Sequence, residues 1–197
     1  MKTENRFEIK FNMSNIELIK FKEKYRLINK MYPTRKITSY YYDTANLKYF
    51  YRSINRDIDS IKYRIRFYND KKNFTEEIKT HTANGRKKYS RTLEDVREIP
   101  KSIIYKNEIL FPISIVTYTR DYFEYKHSRI TIDYNLVYKK PKNRSLLQST
   151  IKRPNNIVEF KTLNSNSINM YDDLPRHIDS FSKFKDSIFS LYNIPYV

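Results

Sequence analysis

Residues 61 to 67, IKYRIRF, alternate strictly between apolar and basic side chains. In an extended strand successive side chains point to opposite faces, so Lys62, Arg64 and Arg66 share one face while isoleucine and aromatic side chains share the other. Like charges that are aligned in a sheet repel each other. The stretch therefore predicts a β-strand with an apolar core face and a cationic face whose repulsion needs an explanation.

The composition of the chain favours a globular protein with a polyanionic partner. The 197 residues include 39 Lys and Arg against 22 Asp and Glu, a formal net charge of +17, and 39% of them are hydrophobic. Such a surplus attracts nucleic acid, anionic lipid or phosphate chains, and charge alone does not choose among these. Because the chain has no cysteine, disulfides, thiolate metal sites and cysteine nucleophiles are excluded. No stretch has the apolar length of a membrane span or a secretory signal, which predicts a cytoplasmic protein.

Periodicity along the chain predicts an antiparallel sheet of about eight strands with two or three helices. The predicted strands cover residues 6–11, 37–44, 61–68, 74–80, 86–92, 114–125, 128–138 and 157–162. Ser14 and Glu17 have the spacing of a capping box, which predicts a helix that ends at Pro33 at the latest. A last helix is predicted over 174–192, and residues 92–104 are typical of a helix as far as Pro100. Residues 45–57 are compatible with a short helix or a loop.

The alternation of charge recurs in other predicted strands. If the strands share a sheet, one face carries nine cations and four carboxylates. The cations are Arg6, Lys10, Lys62, Arg64, Arg66, Lys79, Arg120, Arg129 and Lys161, and the carboxylates are Glu8, Glu77, Asp133 and Glu159. One such strand alone indicates only the solvated side of a sheet. Repetition with so much Arg indicates a ligand with phosphate oxygens, held best if the sheet curls into a barrel around it.

The carboxylates on this face need a separate interpretation, because an anion site gains nothing from them. Glu8, Glu77 and Asp133 either pair with neighbouring Arg side chains or serve the ligand. Glu159 is the better candidate for a metal ligand, since hard divalent cations bind one or two carboxylates together with substrate phosphates.

Nine short motifs carry a resemblance to a known family. They are RFEIKF, YYYDT, KYRIRFY, EEIKT, KKYSR, VTYTRDYFEY, RITIDYNL, VEFKT and SKF. In order and spacing they resemble the catalytic VTC domain of polyphosphate polymerases, within the triphosphate tunnel metalloenzyme (CYTH-like) superfamily. The resemblance implies an α+β fold, an antiparallel eight-stranded β-barrel with flanking helices, as a single domain over residues 1–197. It also implies transfer of the γ-phosphate of ATP to inorganic polyphosphate, with Mn²⁺ or Mg²⁺ as cofactor.

The resemblance also assigns roles to individual residues. It implies that the catalytic residues are Arg64, Arg66, Lys79, Arg120, Arg129 and Lys161. It implies phosphate binding by Arg6, Lys10, Lys62, Lys88, Arg91, Ser182 and Lys183, and metal binding by Glu159 and Glu8. Lys87 is expected to point outward, and Tyr42 and Asp43 are expected to be structural. For Ser182, the sequence alone favours a hydroxyl at a helix start over a nucleophile.

One departure from the hydrolytic members of this superfamily favours a polymerase. Hydrolytic relatives show E-x-E-x-K in the first strand, whereas this chain has Arg6-Phe7-Glu8-Ile9-Lys10, and its late strand has Glu159-Phe160-Lys161. Fewer carboxylates leave fewer groups to orient an attacking water, and more cations hold a longer anion. Hydrolysis of tripolyphosphate or a nucleoside triphosphate is the alternative, and a basic nucleic-acid-binding module is a second one. The expected partners are ATP, polyphosphate and a separate membrane protein, as in some relatives, but no nucleic acid.

Overall fold

The computed structural model describes residues 7–69, 73–83, 85–94, 96–126, 128–141, 150–162 and 181–195. In this part of the chain, ten strands form an antiparallel sheet that is accompanied by three helices, which confirms the α+β class. The strands are β1 (Phe7–Met13), β2 (Tyr32–Asp43), β3 (Ile61–Tyr68), β4 (Phe74–Thr82), β5 (Gly85–Leu93), β6 (Ile103–Tyr105), β7 (Glu108–Tyr125), β8 (Ser128–Lys139), β9 (Thr150–Lys152) and β10 (Asn156–Thr162). The helices are α1 (Asn15–Lys24), α2 (Lys48–Ile54) and α3 (Lys183–Tyr192). None of the helices described is long and apolar enough to cross a membrane.

All eight predicted strands are present. The two that the sequence did not predict, β6 and β9, have three residues each, which is too short for alternation to be visible. Among the described strands, β1 pairs only with β10 and β5 only with β4, and closure into an eight-stranded barrel stays a prediction.

The chain folds into two compact units. The first comprises Met1–Arg35, Tyr118–Leu136 and Arg153–Phe181, and the second comprises Lys36–Thr117, Val137–Lys152 and Ser182–Val197. The single domain over residues 1–197 stays a prediction, and each unit is described below by itself.

The core of the first unit lies between α1 and one face of the sheet. Ile9 and Phe11 of β1, Ile130 of β8 and Phe160 of β10 are buried there, and the ring of Phe160 meets that of Phe21 edge to face at 5.8 Å. These residues alternate with polar ones along their strands, so the opposite face of the same strands is polar. The predicted period of two therefore positions both the core and the polar face.

Helix α1 begins as predicted and ends well before Pro33. Ser14 and Glu17 form the capping box, with the Glu17 amide donating to Ser14 Oγ at 3.3 Å. The helix ends at Lys24, because Arg26 adopts a left-handed conformation with φ of 47° and the Leu27 amide donates to the Lys22 carbonyl. Ile28, which lies beyond the end of the helix, is consequently 81% exposed.

In the second unit, β2, β3, β4 and β5 pair in this order and pack a core of Tyr42, Tyr63, Ile65 and Phe74. The open choice over residues 45–57 is resolved as helix α2. Asp43 fixes its start, since its carboxylate accepts the backbone amides of Tyr49 and Phe50 at 3.0 and 2.8 Å. The structural role expected for Asp43 is thereby confirmed.

The helix predicted from residue 92 as far as Pro100 is wrong. Thr92 and Leu93 belong to β5, where Leu93 pairs with Phe74, and Ile103 lies in β6. Val96 between them packs against the core of the second unit. The strand ladders and this core outweigh the weak helical propensity of the segment.

The last predicted helix is confirmed over residues 183–192, and the earlier part of the prediction, with Asp173 and Pro175, lies outside the described residues. The helix buries Phe184, Ile188 and Phe189 within the second unit.

Several turns of this chain use left-handed residues other than glycine. Leu47 before α2, Lys106 between β6 and β7, and Lys126 between β7 and β8 have φ of 56°, 48° and 51°. For an L-residue with a Cβ atom this conformation costs about 1 kcal/mol or more. The one glycine of the chain, Gly85, has a φ of 102° at the start of β5.

Candidate functional site

Three strands of the second unit align a row of lysines. Lys62 of β3 lies directly opposite Lys79 of β4, which in turn lies opposite Lys88 of β5. Directly opposed residues of an antiparallel pair point to the same face, with Cβ atoms about 4.5–5.5 Å apart. Three like charges at this spacing repel each other, and a bound anion would offset the repulsion. We refer to Lys62, Lys79 and Lys88 as the lysine row.

Glu77 lies beside the lysine row on the same face. Its carboxylate is contacted by Arg64 Nε at 2.8 Å, Arg66 Nη2 at 2.8 Å and Lys88 Nζ at 2.6 Å. Burial raises the pKa of Glu77, but the charges of Arg64 and Arg66 outweigh burial and lower the pKa to about 2. Three cations therefore surround one ionised carboxylate, and the surrounding face keeps a surplus of positive charge.

Aromatic rings orient the two arginines of this face. Arg64 Nη1 donates to the Tyr41 hydroxyl at 3.2 Å, and the Arg66 guanidinium lies 5.0 Å from the centre of the Tyr68 ring. Such contacts hold a guanidinium in one orientation before a ligand arrives.

The start of α3 lies next to the lysine row. Ser182 caps this helix, accepting the Lys185 amide at 3.5 Å, which confirms the predicted helix-start hydroxyl. Lys62 Nζ donates to the same hydroxyl at 3.1 Å. Lys183, the first residue of the helix, is half-buried. The structure thus brings Ser182 together with the predicted phosphate-binding residues of the strands.

Lys88 and Arg91 lie on opposite faces of β5. Lys88 contacts Glu77 on the face of the lysine row, whereas Arg91 is opposed to Glu76 and forms an ion pair with it on the other face. Arg91 therefore does not share the face of the lysine row, because an odd separation along a strand reverses the direction of the side chain, and its phosphate binding stays a prediction. Lys87, as expected, shares the face of Arg91.

The first unit carries a second polar face on β1 and β10. Glu8 is opposed to Lys161 and Lys10 to Glu159. Lys161 Nζ lies 2.6 Å from Glu159 Oε1 and 3.3 Å from Glu8 Oε2, and Lys10 Nζ lies 2.5 Å from Glu8 Oε1. The predicted residue Arg6 lies outside the described residues. Four of the predicted residues therefore form one network of alternating charge.

The carboxylates of this network are ionised at neutral pH. Burial raises the pKa of Glu159, but Lys161, Lys10 and Arg120 outweigh it and hold the pKa well below its usual range. For Glu8, burial and the charge of Glu159 raise the pKa. Lys10 and Lys161 lower it by more, so the net shift of the pKa is downward. Both groups are thus available as anionic oxygen ligands.

Arg120 of β7 is held on the first unit by a buried partner. Its Nη2 donates to Asp133 Oδ2 at 2.6 Å, and its Nε donates to Oδ1 of the same carboxylate. Burial lowers the pKa of Arg120, yet Asp133 more than offsets this and raises it. Arg129 of β8 is exposed and lies opposite Lys161. The two predicted arginines therefore lie on β7 and β8, and Arg129 joins the face of the network through its pairing with Lys161.

Two overlapping stretches of the chain, residues 5–99 and 86–192, match a family model described as the VTC domain. The chain belongs to the VTC domain family. This confirms the resemblance that the nine sequence motifs carried, and it covers both polar faces. No curated protein matches the sequence of this VTC domain.

Solved structures share the fold of the VTC domain at low identity. A candidate adenylate cyclase from Bacillus halodurans has a TM-score of 0.56 and 14% identity, over 98% of this chain and 92% of that one. A Hippeastrum protein described as a candidate adenylyl cyclase with a dominant triphosphatase activity also has a TM-score of 0.56 and 14% identity, over 94% and 95%. A Pyrococcus horikoshii OT3 protein reaches 0.54 at 12% identity, over 93% and 99%. These similarities establish the fold.

The VTC domain offers oxygen ligands rather than a complete metal cage. The described residues contain no group of three or more His, Cys, Asp or Glu side chains that could hold a metal ion. Glu159 and Glu8 nevertheless both contact Lys161. Thr131, opposite Glu159, has a buried hydroxyl without a hydrogen-bond partner among the described residues. Two carboxylates and a hydroxyl suit Mg²⁺ or Mn²⁺, which keep several waters and bind substrate phosphates. The residues present therefore fit such an ion.

The outer face of the second unit carries a groove of about 420 Å³ that is lined by Thr38, Tyr40, Lys101 and Lys139 among others. Thr38 and Tyr40 alternate with Tyr41 along β2, so the groove lies on the face opposite Arg64. Its lining contains none of the predicted site residues, and we place the candidate site on the polar faces because the charge lies there.

Sequence analysis missed four residues of the polar faces. Tyr41 contacts Arg64, and the Tyr118 ring lies 5.3 Å from the Arg120 guanidinium. Ser39 and Thr131 are buried, and their hydroxyls have no hydrogen-bond partner among the residues that the structure describes. Parity places all four on the same faces as the charged residues, but neutral side chains at these positions carry no charge signal to single them out.

Proposed function

We propose that this VTC domain is a metal-dependent polyphosphate polymerase that transfers the γ-phosphate of ATP to a growing inorganic polyphosphate chain within a basic tunnel. The observation that carries the proposal is the lysine row, in which Lys62, Lys79 and Lys88 are in register on three neighbouring strands. A chain of phosphates offers negative charge along a line, and such a line matches a row of cations. A single phosphate would offset only part of the repulsion.

The second observation concerns the carboxylates. Each of the four on the polar faces lies within an ion pair: Glu8 with Lys10 and Lys161, Glu77 with three cations, Asp133 with Arg120, and Glu159 with Lys161. A carboxylate that is paired in this way is a poor general base for water. This favours transfer to a phosphate acceptor over hydrolysis.

In the proposed reaction, a terminal oxygen of polyphosphate forms a bond to the γ-phosphorus of ATP, the β–γ bridging bond breaks, and ADP leaves. No strong general base is needed, because the attacking oxygen is already anionic near neutral pH. Arg64, Arg66 and Lys79 would hold the chain, and Arg120, Arg129 and Lys161 would neutralise charge on the transferred group. Mn²⁺ or Mg²⁺ held by Glu159 and Glu8 would supply further neutralisation of the phosphates.

The test is incubation of the purified protein with ATP and Mn²⁺, followed by gel analysis of the products. We expect a ladder of polyphosphate and equimolar ADP. Lys88→Ala should lower the yield, and Lys87→Ala, the neighbour on the opposite face, should not. Orthophosphate as the only phosphate product would contradict the proposal.

Hydrolysis of tripolyphosphate or a nucleoside triphosphate is the second candidate, favoured by the dominant triphosphatase activity of the Hippeastrum protein with the same fold. The same assay separates the two reactions. If the missing carboxylate of the first strand limits hydrolysis, Arg6→Glu should raise the release of orthophosphate.

The proposal also covers partners and location. ATP and polyphosphate are the proposed ligands, with a separate membrane protein as a further partner of a cytoplasmic enzyme. A nucleic-acid module would instead bind oligonucleotides without divalent cations and with a steep salt dependence. Competition between tripolyphosphate and a labelled oligonucleotide distinguishes the two, and we expect tripolyphosphate to bind more tightly.

A further inference from the structure

Ser39 of β2 and Arg66 of β3 are directly opposed on the face that carries the lysine row. Ser39 is fully buried, and its hydroxyl has no hydrogen-bond partner among the described residues. Arg66 Nε is also buried and has no hydrogen-bond partner in the part of the chain that the structure describes. Each residue of this opposed pair thus has one buried polar atom without a hydrogen bond.

Unpartnered buried polar atoms are rare in folded proteins, because each costs about 1–3 kcal/mol. In the described part of the chain, five buried side-chain atoms lack a hydrogen bond, and all five lie on the two polar faces. Two of them, Glu77 Oε1 and Glu159 Oε1, are still within ion-pair distance of a cation. The remaining atoms of the second unit are Ser39 Oγ and Arg66 Nε.

Other contacts of Arg66 involve Nη2 and the flat face of its guanidinium, and Nε takes no part in them. Nη2 lies 2.8 Å from Glu77 Oε1, and the guanidinium stacks on the Tyr68 ring at 5.0 Å. The Nε–H can only donate, and the serine hydroxyl can also donate. Two donors on one opposed pair of residues, on the face that carries the lysine row, match a group with several anionic oxygens.

We propose that the Ser39 hydroxyl and Arg66 Nε form an oxyanion subsite that binds one phosphoryl group of the polyphosphate or triphosphate. The subsite rests on the proposed function, because it requires that this face bind a phosphate chain. It adds a residue that neither charge nor motif singled out. Ser39 would act by binding and orienting the phosphoryl group, without a covalent step.

The test compares Ser39→Ala with a matched control, Ser53→Ala. Ser53 is a buried serine of the same unit whose hydroxyl donates to the Phe50 carbonyl at 2.9 Å. For Ser39→Ala we expect about tenfold or more weaker tripolyphosphate binding by calorimetry, as for loss of a hydrogen bond to a charged group. Its ligand-free Tm should stay equal or rise, because a buried unpartnered hydroxyl is removed. Ser53→Ala should lower Tm and leave the Kd unchanged.

A double-mutant cycle with Arg66→Lys, which keeps the charge and removes the Nε–H, provides the second measurement. Coupling between the two positions should appear in the Kd for tripolyphosphate and not in the ligand-free free energy of unfolding. An unchanged Kd for Ser39→Ala, or coupling confined to the ligand-free protein, would overturn the subsite, since Ser39 would then serve Arg66 or a water. Failure of the wild-type protein to bind tripolyphosphate would instead refute the proposed function itself.

Discussion

Lys62 and Lys79 are directly opposed on neighbouring strands of the second unit, and both point to the same face. If this pair binds a phosphate chain, Lys79→Gln removes one charge-assisted contact while keeping a polar side chain of similar length. We expect the Kd for tripolyphosphate to rise about tenfold. Calorimetry at fixed ionic strength measures this, with Lys87→Gln on the opposite face as control. Equal affinities of the two variants would contradict the prediction.

Glu77 makes the stability of the protein depend on acid pH. Its pKa is lowered from 4.5 to about 2 by surrounding cations. A lowered folded-state pKa stabilises the fold above the unfolded value, by about 3 kcal/mol, and this contribution is lost as the pH falls from about 4.5 towards 2. Denaturant titrations between pH 7 and 2.5 should show this loss. In Glu77→Gln the free energy of unfolding should be lower at pH 7 and flatter across the acid range, and an equally steep slope in the variant would refute the assignment.

Glu159 should control the metal dependence. Glu159→Gln removes the anionic oxygen, so Mn²⁺-stimulated turnover should fall by at least about tenfold, a loss of roughly 1.4 kcal/mol of transition-state stabilisation. Tripolyphosphate should still raise the Tm of this variant in EDTA, because the cations remain. Glu124→Gln, an exposed carboxylate of the same unit, serves as control. If both variants retain full Mn²⁺ stimulation, Glu159 is not the ligand.

Asp133 is the partner that keeps Arg120 tolerable inside the fold. Asp133→Asn leaves a buried cation without its counter-charge, which should lower the free energy of unfolding by about 3 kcal/mol or more. Because a phosphate can replace the lost charge, tripolyphosphate should raise the Tm of this variant more than that of the wild type. Equal ligand-induced shifts in Tm would indicate that Arg120 is structural only.

Lys161→Glu should shift the balance between transfer and hydrolysis. The change places a second carboxylate beside Glu159 on the same face of β10. In the wild-type protein, Lys161 Nζ lies 2.6 Å from Glu159 Oε1. A carboxylate outside an ion pair can orient water, so the ratio of orthophosphate to polyphosphate should increase. Lys161→Gln removes the cation without adding the carboxylate, and identical product ratios in both variants would argue against this account.

The sequence was sufficient for the strands and for the charged part of the site. In IKYRIRFY, alternation determines which residues are buried, and the structure places Lys62, Arg64 and Arg66 on one face of β3 as predicted. The resemblance implied phosphate binding by both Lys88 and Arg91, but the pattern KKYSR alone does not show which of them shares that face. Only the observed pairing of β5 with β4 decides between them.

Other features depend on contacts that a linear pattern does not contain. The segment around Val96 has helical propensity, yet Val96 packs against a core formed by residues that are distant in the sequence. In the sequence, nothing distinguishes Ser39 from a surface serine. Only the structure shows that it is buried and opposed to Arg66. The end of α1 is set by the left-handed Arg26, a residue with no intrinsic preference for that conformation.

The left-handed turn residues have a consequence for engineering. Leu47, Lys106 and Lys126 adopt backbone angles that asparagine or glycine accepts at lower energy. A more thermostable version of this protein is therefore within reach of a few loop substitutions, and each of them leaves the strands of the two polar faces untouched.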